Sequence, residues 1–166
     1  VQLISAEQVL EIGTYTGYSA LCMAEGLPDH GLVTTIDPNE ETNFFASKYF
    51  ASAEHGNKIK LIEGQALQII PTLEQTFDFI FIDADKQSYP EYLELSLNLS
   101  HSGTLIFLDN VIRAGDIINP ENHKPSIEGI RDMFKAMQNH PKILSCTVLQ
   151  TVGSKGHDGF ALAIVK

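Results

Sequence analysis

Short runs of consecutive apolar residues alternate along the first two thirds of the chain with stretches whose apolar positions recur at helical spacing. The runs at 8–12, 32–36, 59–62, 77–82 and 104–108 are each four to six residues long, the pattern of strands buried on both faces. Between them, residues 18–25, 40–53, 66–73 and 89–99 read as helices, the third interrupted by Pro71. A last helix is predicted over 126–139, with Ser126 as its N-cap and Ile130, Met133, Phe134 and Met137 as its apolar stripe. After Pro141 the rhythm changes. Residues 143–151 and 160–165 form two strand-like runs with only the glycine-rich stretch 153–159 between them, which predicts a hairpin.

Strand–helix alternation closed by a hairpin implies an α/β fold. The expected architecture is a doubly wound, mostly parallel sheet with helices on both faces and an antiparallel strand at or near one edge. In such sheets ligands bind outside the carboxyl ends of the strands. Residues that follow strands directly are therefore the ones to search for chemistry.

Composition narrows the classes. With 166 residues, 43% hydrophobic and 19% charged, the chain is long enough for one domain with a substantial core and is far from the signature of disorder. The 11 basic and 21 acidic side chains give a net charge of −10, which opposes a phosphate backbone and argues against nucleic-acid or anionic-membrane partners. Cys22 and Cys146 lie in apolar contexts without metal-like spacing, so a reducing cytoplasm is the expected location. No run of 18 apolar residues and no signal-like leader occurs. The chain starts at Val1 and enters a strand almost at once, from which an upstream segment is expected to be absent.

The first strand runs into Gly13-Thr14-Tyr15-Thr16-Gly17-Tyr18-Ser19. A dinucleotide loop needs glycine where Tyr15 and Tyr18 stand, so a nicotinamide or flavin dinucleotide fits poorly. A cofactor without a pyrophosphate, such as S-adenosylmethionine, needs no such close approach. Asp37 ends the second strand, where a carboxylate can accept both hydrogen bonds of a ribose diol; alternatively it caps the following helix.

Strand four ends in Asp83-Ala84-Asp85-Lys86 and strand five in Asp109-Asn110. Carboxylates and an amide oxygen from neighbouring strand ends are hard ligands suited to Mg²⁺, Mn²⁺ or Ca²⁺, whereas zinc is disfavoured by the absence of His or Cys beside them. The bland reading of the same residues is helix capping and loop hydrogen bonding. Lys86 reads either as an exposed lysine paired with Asp85 or Glu91, or as a general base held near a cation.

Three segments in order, Val9-Leu10-Glu11-Ile12-Gly13-Thr14-Tyr15-Thr16-Gly17-Tyr18-Ser19, Phe81-Ile82-Asp83-Ala84-Asp85-Lys86 and Leu108-Asp109-Asn110-Val111, resemble the signatures of the cation-dependent O-methyltransferases related to catechol and caffeoyl-CoA O-methyltransferases. The tail around Asp158-Gly159-Phe160 resembles a bacterial subgroup. The resemblance implies a class I methyltransferase fold, with seven mostly parallel strands, spanning residues 1–166 as a single domain without the family's N-terminal helices. It implies that Glu11, Gly13, Tyr15, Ser19, Asp37, Gln65, Ala66 and Asp85 contact S-adenosylmethionine. Asp83, Asp109 and Asn110 match the metal ligands, and Lys86 and Asp83 the catalytic pair. Where the plant caffeoyl-CoA enzymes carry a substrate-contacting asparagine, this chain reads Val111-Ile112-Arg113-Ala114-Gly115, so the resemblance does not reach a CoA thioester acceptor.

The expected activity is methyl transfer from S-adenosylmethionine to a catechol-like or phenolic hydroxyl, assisted by a divalent cation, in a homodimer. The alternatives are a non-catalytic binding or assembly domain and a nucleotide-dependent oxidoreductase. All six histidines are read as surface residues, and Met133 and Met137 as core.

Overall fold

The structure, a computed structural model, describes residues 1–154 and 156–166. Strands β1 (Gln8–Ile12), β2 (Leu32–Asp37), β3 (Ile59–Glu63), β4 (Phe77–Ile82), β5 (Ser100–Leu108), β6 (Ile143–Gly153) and β7 (Gly156–Val165) form one sheet in the order β3-β2-β1-β4-β5-β7-β6. Every neighbouring pair from β3 to β5 is parallel, and β7 runs antiparallel to both β5 and β6. The helices are α1 (Tyr18–Glu25), α2 (Glu40–Ser52), α3 (Ala66–Ile69), α4 (Tyr89–Asn98) and α5 (Pro125–Gln138).

Strand periodicity divides the core into two layers. Leu10 and Ile12 of β1 join Ile80, Ile82, Leu93, Ile130 and Met133 beneath α4 and α5. Val9 points the other way, into a cluster with Ala20, Met23, Ala24, Ala46 and Phe50 of α1 and α2. The chain reverses direction around β1, with β2 on one side and β4 on the other. Loops at the carboxyl ends of β1 and β4 therefore open a crevice there.

The expected elements return with local differences. β5 begins at Ser100, four residues before the run expected at 104–108, so His101, Ser102 and Gly103 belong to a bulged strand start. There Thr104 Oγ1 accepts from the His101 amide at 3.0 Å and donates to the Phe77 carbonyl at 2.6 Å. α5 begins at Pro125, which suits the first helical position because its missing N–H costs nothing there; Ser126 lies inside the helix and is not its cap. The expected long connection at 153–159 shortens because β6 and β7 pair out to Gly153 and Gly156. His55, His140 and His157 are half-buried, unlike the surface positions expected for all six histidines. Met133 and Met137 are core residues as expected. Among the described residues, no helix is long and apolar enough to cross a membrane.

Candidate active site

The loop from β1 to α1 sits over the crevice. The Gly13 amide donates to the Ile36 carbonyl at 2.9 Å, which joins the loop to the end of β2. Asp37 holds it from the same side: Oδ2 accepts from the amides of Thr14 at 3.0 Å and Tyr15 at 2.9 Å, and Oδ1 accepts from Asn39 N at 2.9 Å. Helix α2 is capped instead by Asn39, whose Oδ1 accepts from the Thr42 amide. Asp37 is thus a brace for the loop: Oδ2 already holds two donors, and Oδ1, which holds one, keeps room for another.

Gly13, Tyr15, Asp37, Gln65, Ala66, Asp83 and Asp85 line one cavity of about 450 Å³, together with Ile12, Ile36, Pro38, Ala84 and Tyr92. Seven of the sequence-predicted site residues are therefore brought together. A larger depression, about 670 Å³, is bordered by Tyr18, Ser19, Phe79, Phe81 and Phe107, but none of the strand-end carboxylates reaches it.

Glu11 and Ser19 do not line the smaller cavity. Strand alternation turns Glu11 toward α1, where it is fully buried and accepts from the hydroxyls of Ser19 and Thr35. Because the Thr35 proton is spent on Glu11, the short contact between Thr14 and Thr35 makes Thr14 the donor. A relay of three hydroxyls thus fixes the underside of the loop.

Burial drives the Glu11 carboxyl up from 4.5 to about 7, against the lowering effect of its two hydroxyl donors. The folded state then holds a proton that the unfolded chain gives up, so stability is expected to fall as the pH rises from about 4.5 through about 7. The difference corresponds to about 3 kcal/mol. Urea unfolding of Glu11→Gln across this range is expected to lack that component, because the amide cannot ionise.

The acidic edge lies beside the cavity. In the parallel register Ile82 faces Leu108, so Asp83 and Asp109 emerge side by side from neighbouring strand ends. Their amides continue the ladder, Asp83 N to the Ile12 carbonyl at 2.9 Å and Asp109 N to the Ile82 carbonyl at 3.0 Å. Tyr89, fully buried at the start of α4, donates its hydroxyl to the carbonyls of Asp109 at 2.7 Å and Ile82 at 3.1 Å, which locks the two ends together. Burial and the neighbouring Asp83 charge raise the Asp109 carboxyl above its usual range. Asn110 adopts a left-handed conformation, with φ of 55°, and its side-chain amide makes no hydrogen bond among the described residues.

Lys86 is 8% exposed and donates from Nζ to Asp83 Oδ1 at 2.6 Å and to the Ala84 carbonyl at 3.0 Å. Its partner is Asp83, neither Asp85 nor Glu91, and it is not a surface lysine. Gly129 explains the burial. A Cβ there would stand 2.3 Å from the Lys86 carbonyl oxygen, so only glycine lets α5 press onto this turn. Asp85 caps the same turn through the Ser88 amide and accepts the Tyr92 hydroxyl at 2.6 Å, which keeps its carboxylate at the cavity wall.

Among the described residues, no three His, Cys, Asp or Glu side chains come together as metal ligands. The donor set at this edge is two carboxylates and one amide.

Against known proteins, the model of the O-methyltransferase family matches residues 1–163. The chain belongs to the O-methyltransferase family. It is 41% identical to a catechol O-methyltransferase of Niastella koreensis, over 99% of this chain and 76% of that protein. To a catechol O-methyltransferase of Mycobacterium tuberculosis it is 37% identical, over 98% of this chain and 74% of that protein. Among solved structures, the O-methyltransferase of Bacillus cereus in complex with SAH superposes with a TM-score of 0.95 at 42% identity, covering all of this chain and 77% of that one. TomG of Streptomyces achromogenes, in complex with SAM, gives 0.95 at 35% identity, over 99% of this chain and 75% of that one. The fold is that of the class I O-methyltransferases, and the family is SAM-dependent.

Several residues of this O-methyltransferase site escaped the sequence reading. Thr14 and Thr35 complete the relay below the loop, Tyr92 walls the cavity, and Tyr89 locks the acidic edge. Tyr89 and Tyr92, three residues apart on the first turn of α4, carried a usable signal: both face one side, directly after an acidic strand end. Asp158 did not. It accepts the amides of Ile112 at 3.1 Å and Arg113 at 3.0 Å from 46 and 45 residues away in sequence, beside that of its neighbour Gly159 at 2.9 Å.

Proposed function

We propose that this chain moves the methyl group of S-adenosylmethionine to a hydroxyl of a catechol-like acceptor, at an edge where Asp83, Asp109 and Asn110 hold a divalent cation. The observation that carries the reading is the adjacency of Asp83 and Asp109 at the ends of β4 and β5, with Asp83 also lining the cavity that Gly13, Asp37 and Gln65 build. Donor and acceptor sites then share a wall.

The residues suit a cation. Two neighbouring carboxylates with one raised above its usual range are relieved by positive charge, and the Lys86 ammonium already sits against one of them. Asn110 adds an amide with no other partner among the described residues. A bound Mg²⁺, Mn²⁺ or Ca²⁺ would supply stabilisation of negative charge on the acceptor oxygen.

On the donor side, Asp37 accepts the ribose hydroxyls while bracing Thr14 and Tyr15. Gln65 and Ala66, where β3 passes into α3, border the adenine. Asp85 faces the amino group of the methionine end, and Ser19, oriented by Glu11, closes the loop around that end. On the acceptor side, Lys86 Nζ takes the hydroxyl proton. Alignment of oxygen and methyl carbon provides most of the remaining acceleration.

Transfer of a labelled methyl group to a simple catechol, with and without EDTA, tests the reading. Label appears in the product and EDTA abolishes it if the proposal holds. Undiminished transfer in EDTA removes the cation, and donor binding without transfer to any catechol removes the acceptor. For Asp37→Ala, donor affinity measured by calorimetry is expected to fall roughly 10- to 100-fold, the worth of one set of hydrogen bonds to a charged group.

A further inference from the structure

We propose that Tyr89 is the positioning residue of the cation edge: one buried ring fixes Asp109 directly and Asp83 through Lys86, and the stiffness it lends favours a small cation over a large one. This rests on the cation reading above and names the residue that tunes that site.

Three observations carry it. First, the Tyr89 hydroxyl closes a ring of hydrogen bonds around the backbone of Asp109. The Asp109 amide donates to the Ile82 carbonyl at 3.0 Å, and the hydroxyl donates to that same carbonyl at 3.1 Å and to the Asp109 carbonyl at 2.7 Å. A carbonyl oxygen has two lone pairs, so Ile82 takes both donors. Both backbone polar groups of Asp109 are thereby tied to the residue that precedes Asp83.

Second, the face of the same ring holds the other half of the edge. Lys86 Nζ lies 4.9 Å from the centroid of the Tyr89 ring, within the range of a cation–π contact, and donates to Asp83 Oδ1 at 2.6 Å. The Asp83 carboxylate is thus placed by an ammonium resting on the side chain whose hydroxyl holds Asp109.

Third, the ring has no room to shift. Tyr89 is fully buried at the start of α4, in the core cluster that contains Ile82, Leu108 and Ile130. Helix α5 presses on the turn just before it, where a Cβ on Gly129 would stand 2.3 Å from the Lys86 carbonyl oxygen and 2.7 Å from that of Gln87.

Stiffness decides between ions. Mg²⁺ demands near-octahedral oxygen positions at about 2.0–2.1 Å, whereas Ca²⁺ accepts more oxygens at about 2.3–2.6 Å in a loose geometry. Two carboxylates referred to one immobile ring suit the stricter ion, and loosening them costs it more.

The test titrates Mg²⁺ and Ca²⁺ by calorimetry into the full chain, freed of metal and saturated with S-adenosylhomocysteine. The wild type is expected to bind Mg²⁺ at least as tightly as Ca²⁺. Tyr89→Phe keeps the ring under Lys86 and removes only the hydroxyl. It is expected to weaken Mg²⁺ roughly 5- to 10-fold, the worth of one net hydrogen bond, and Ca²⁺ less than about twofold. Tyr92→Phe is the control, since it removes a hydroxyl from the same turn of α4 that is bonded to Asp85 instead, and its Mg²⁺-to-Ca²⁺ ratio is expected to stay at the wild-type value. A ratio unchanged in Tyr89→Phe, an equal fall in Tyr92→Phe, or a wild type that prefers Ca²⁺ overturns the inference. A wild type that binds neither ion overturns the cation reading itself, and this inference with it.

Discussion

Asp109→Ala is expected to lower methyl transfer by about 10²- to 10³-fold or more while leaving the protein as stable as before and its donor affinity nearly intact. The stability expectation follows from the geometry. The strand end is held through backbone, by the Asp109 amide on the Ile82 carbonyl and by the Tyr89 hydroxyl on the Asp109 carbonyl, and neither bond needs the side chain. The carboxylate itself is half-buried beside Asp83, and both effects raise its proton affinity. Its removal relieves like-charge repulsion at the cost of one contact, with the Asn110 amide. The donor cavity, lined by Gly13, Asp37 and Gln65, does not include Asp109. Thermal unfolding and calorimetry on the same sample separate the cases. A variant that loses donor affinity as strongly as Asp37→Ala would show that the two halves of the site are not distinct. Because the charged form is the useful one, wild-type activity is also expected to fall as the pH drops through the raised Asp109 range.

How much of this was legible in sequence depends on whether the determinant is local. β1, α1 and β4 were read to the residue, the two strands because their apolar runs are buried on both faces and stop at Gly13 and Asp83, the helix because Gly26 ends it. Strand–helix alternation located the carboxyl edge of the sheet, so Asp37, Asp83, Asp85 and Asp109 were legible there as strand-end residues. The start of β5 was missed, since His101, Ser102 and Gly103 look like a turn and only Thr104 bonding across to Phe77 makes them part of a strand. Lys86 illustrates the limit most clearly. Its burial depends on Gly129, 43 positions later, whose missing side chain is what admits α5. Glu11 was expected to contact S-adenosylmethionine, but alternation along β1 turns it beneath the loop, where it accepts from Ser19 and Thr35. Asp158 shapes the loop after β5 by accepting the backbone amides of Ile112 and Arg113 from 46 and 45 positions away, which no local pattern encodes.

Gly13→Ala is expected to be the most damaging single substitution to the fold of the site. Gly13 has φ of 104°, in a region that L side chains avoid, and a Cβ there would stand 2.2 Å from the Asp83 carbonyl oxygen and 2.8 Å from its carbonyl carbon. Both neighbours are backbone, and Asp83 is itself tied to Ile12 by its amide, so the strand end cannot retreat without breaking the β1–β4 ladder. Backbone strain and overpacking each cost about 1–3 kcal/mol, which together predict a loss of about 2–6 kcal/mol and a fall in Tm of roughly 4–20 °C for a chain of this size. Gly153→Ala supplies the control, since that position has ordinary φ and open space around it, and its Tm is expected to move little. A small change in Gly13→Ala would mean that the donor loop and the end of β4 do not pack as closely as this geometry requires. It would also remove the shared wall on which the proposed alignment of donor and acceptor depends. Where the variant still folds, both donor affinity and turnover are expected to drop, because one displaced carbonyl moves Gly13 on one side and Asp83 on the other.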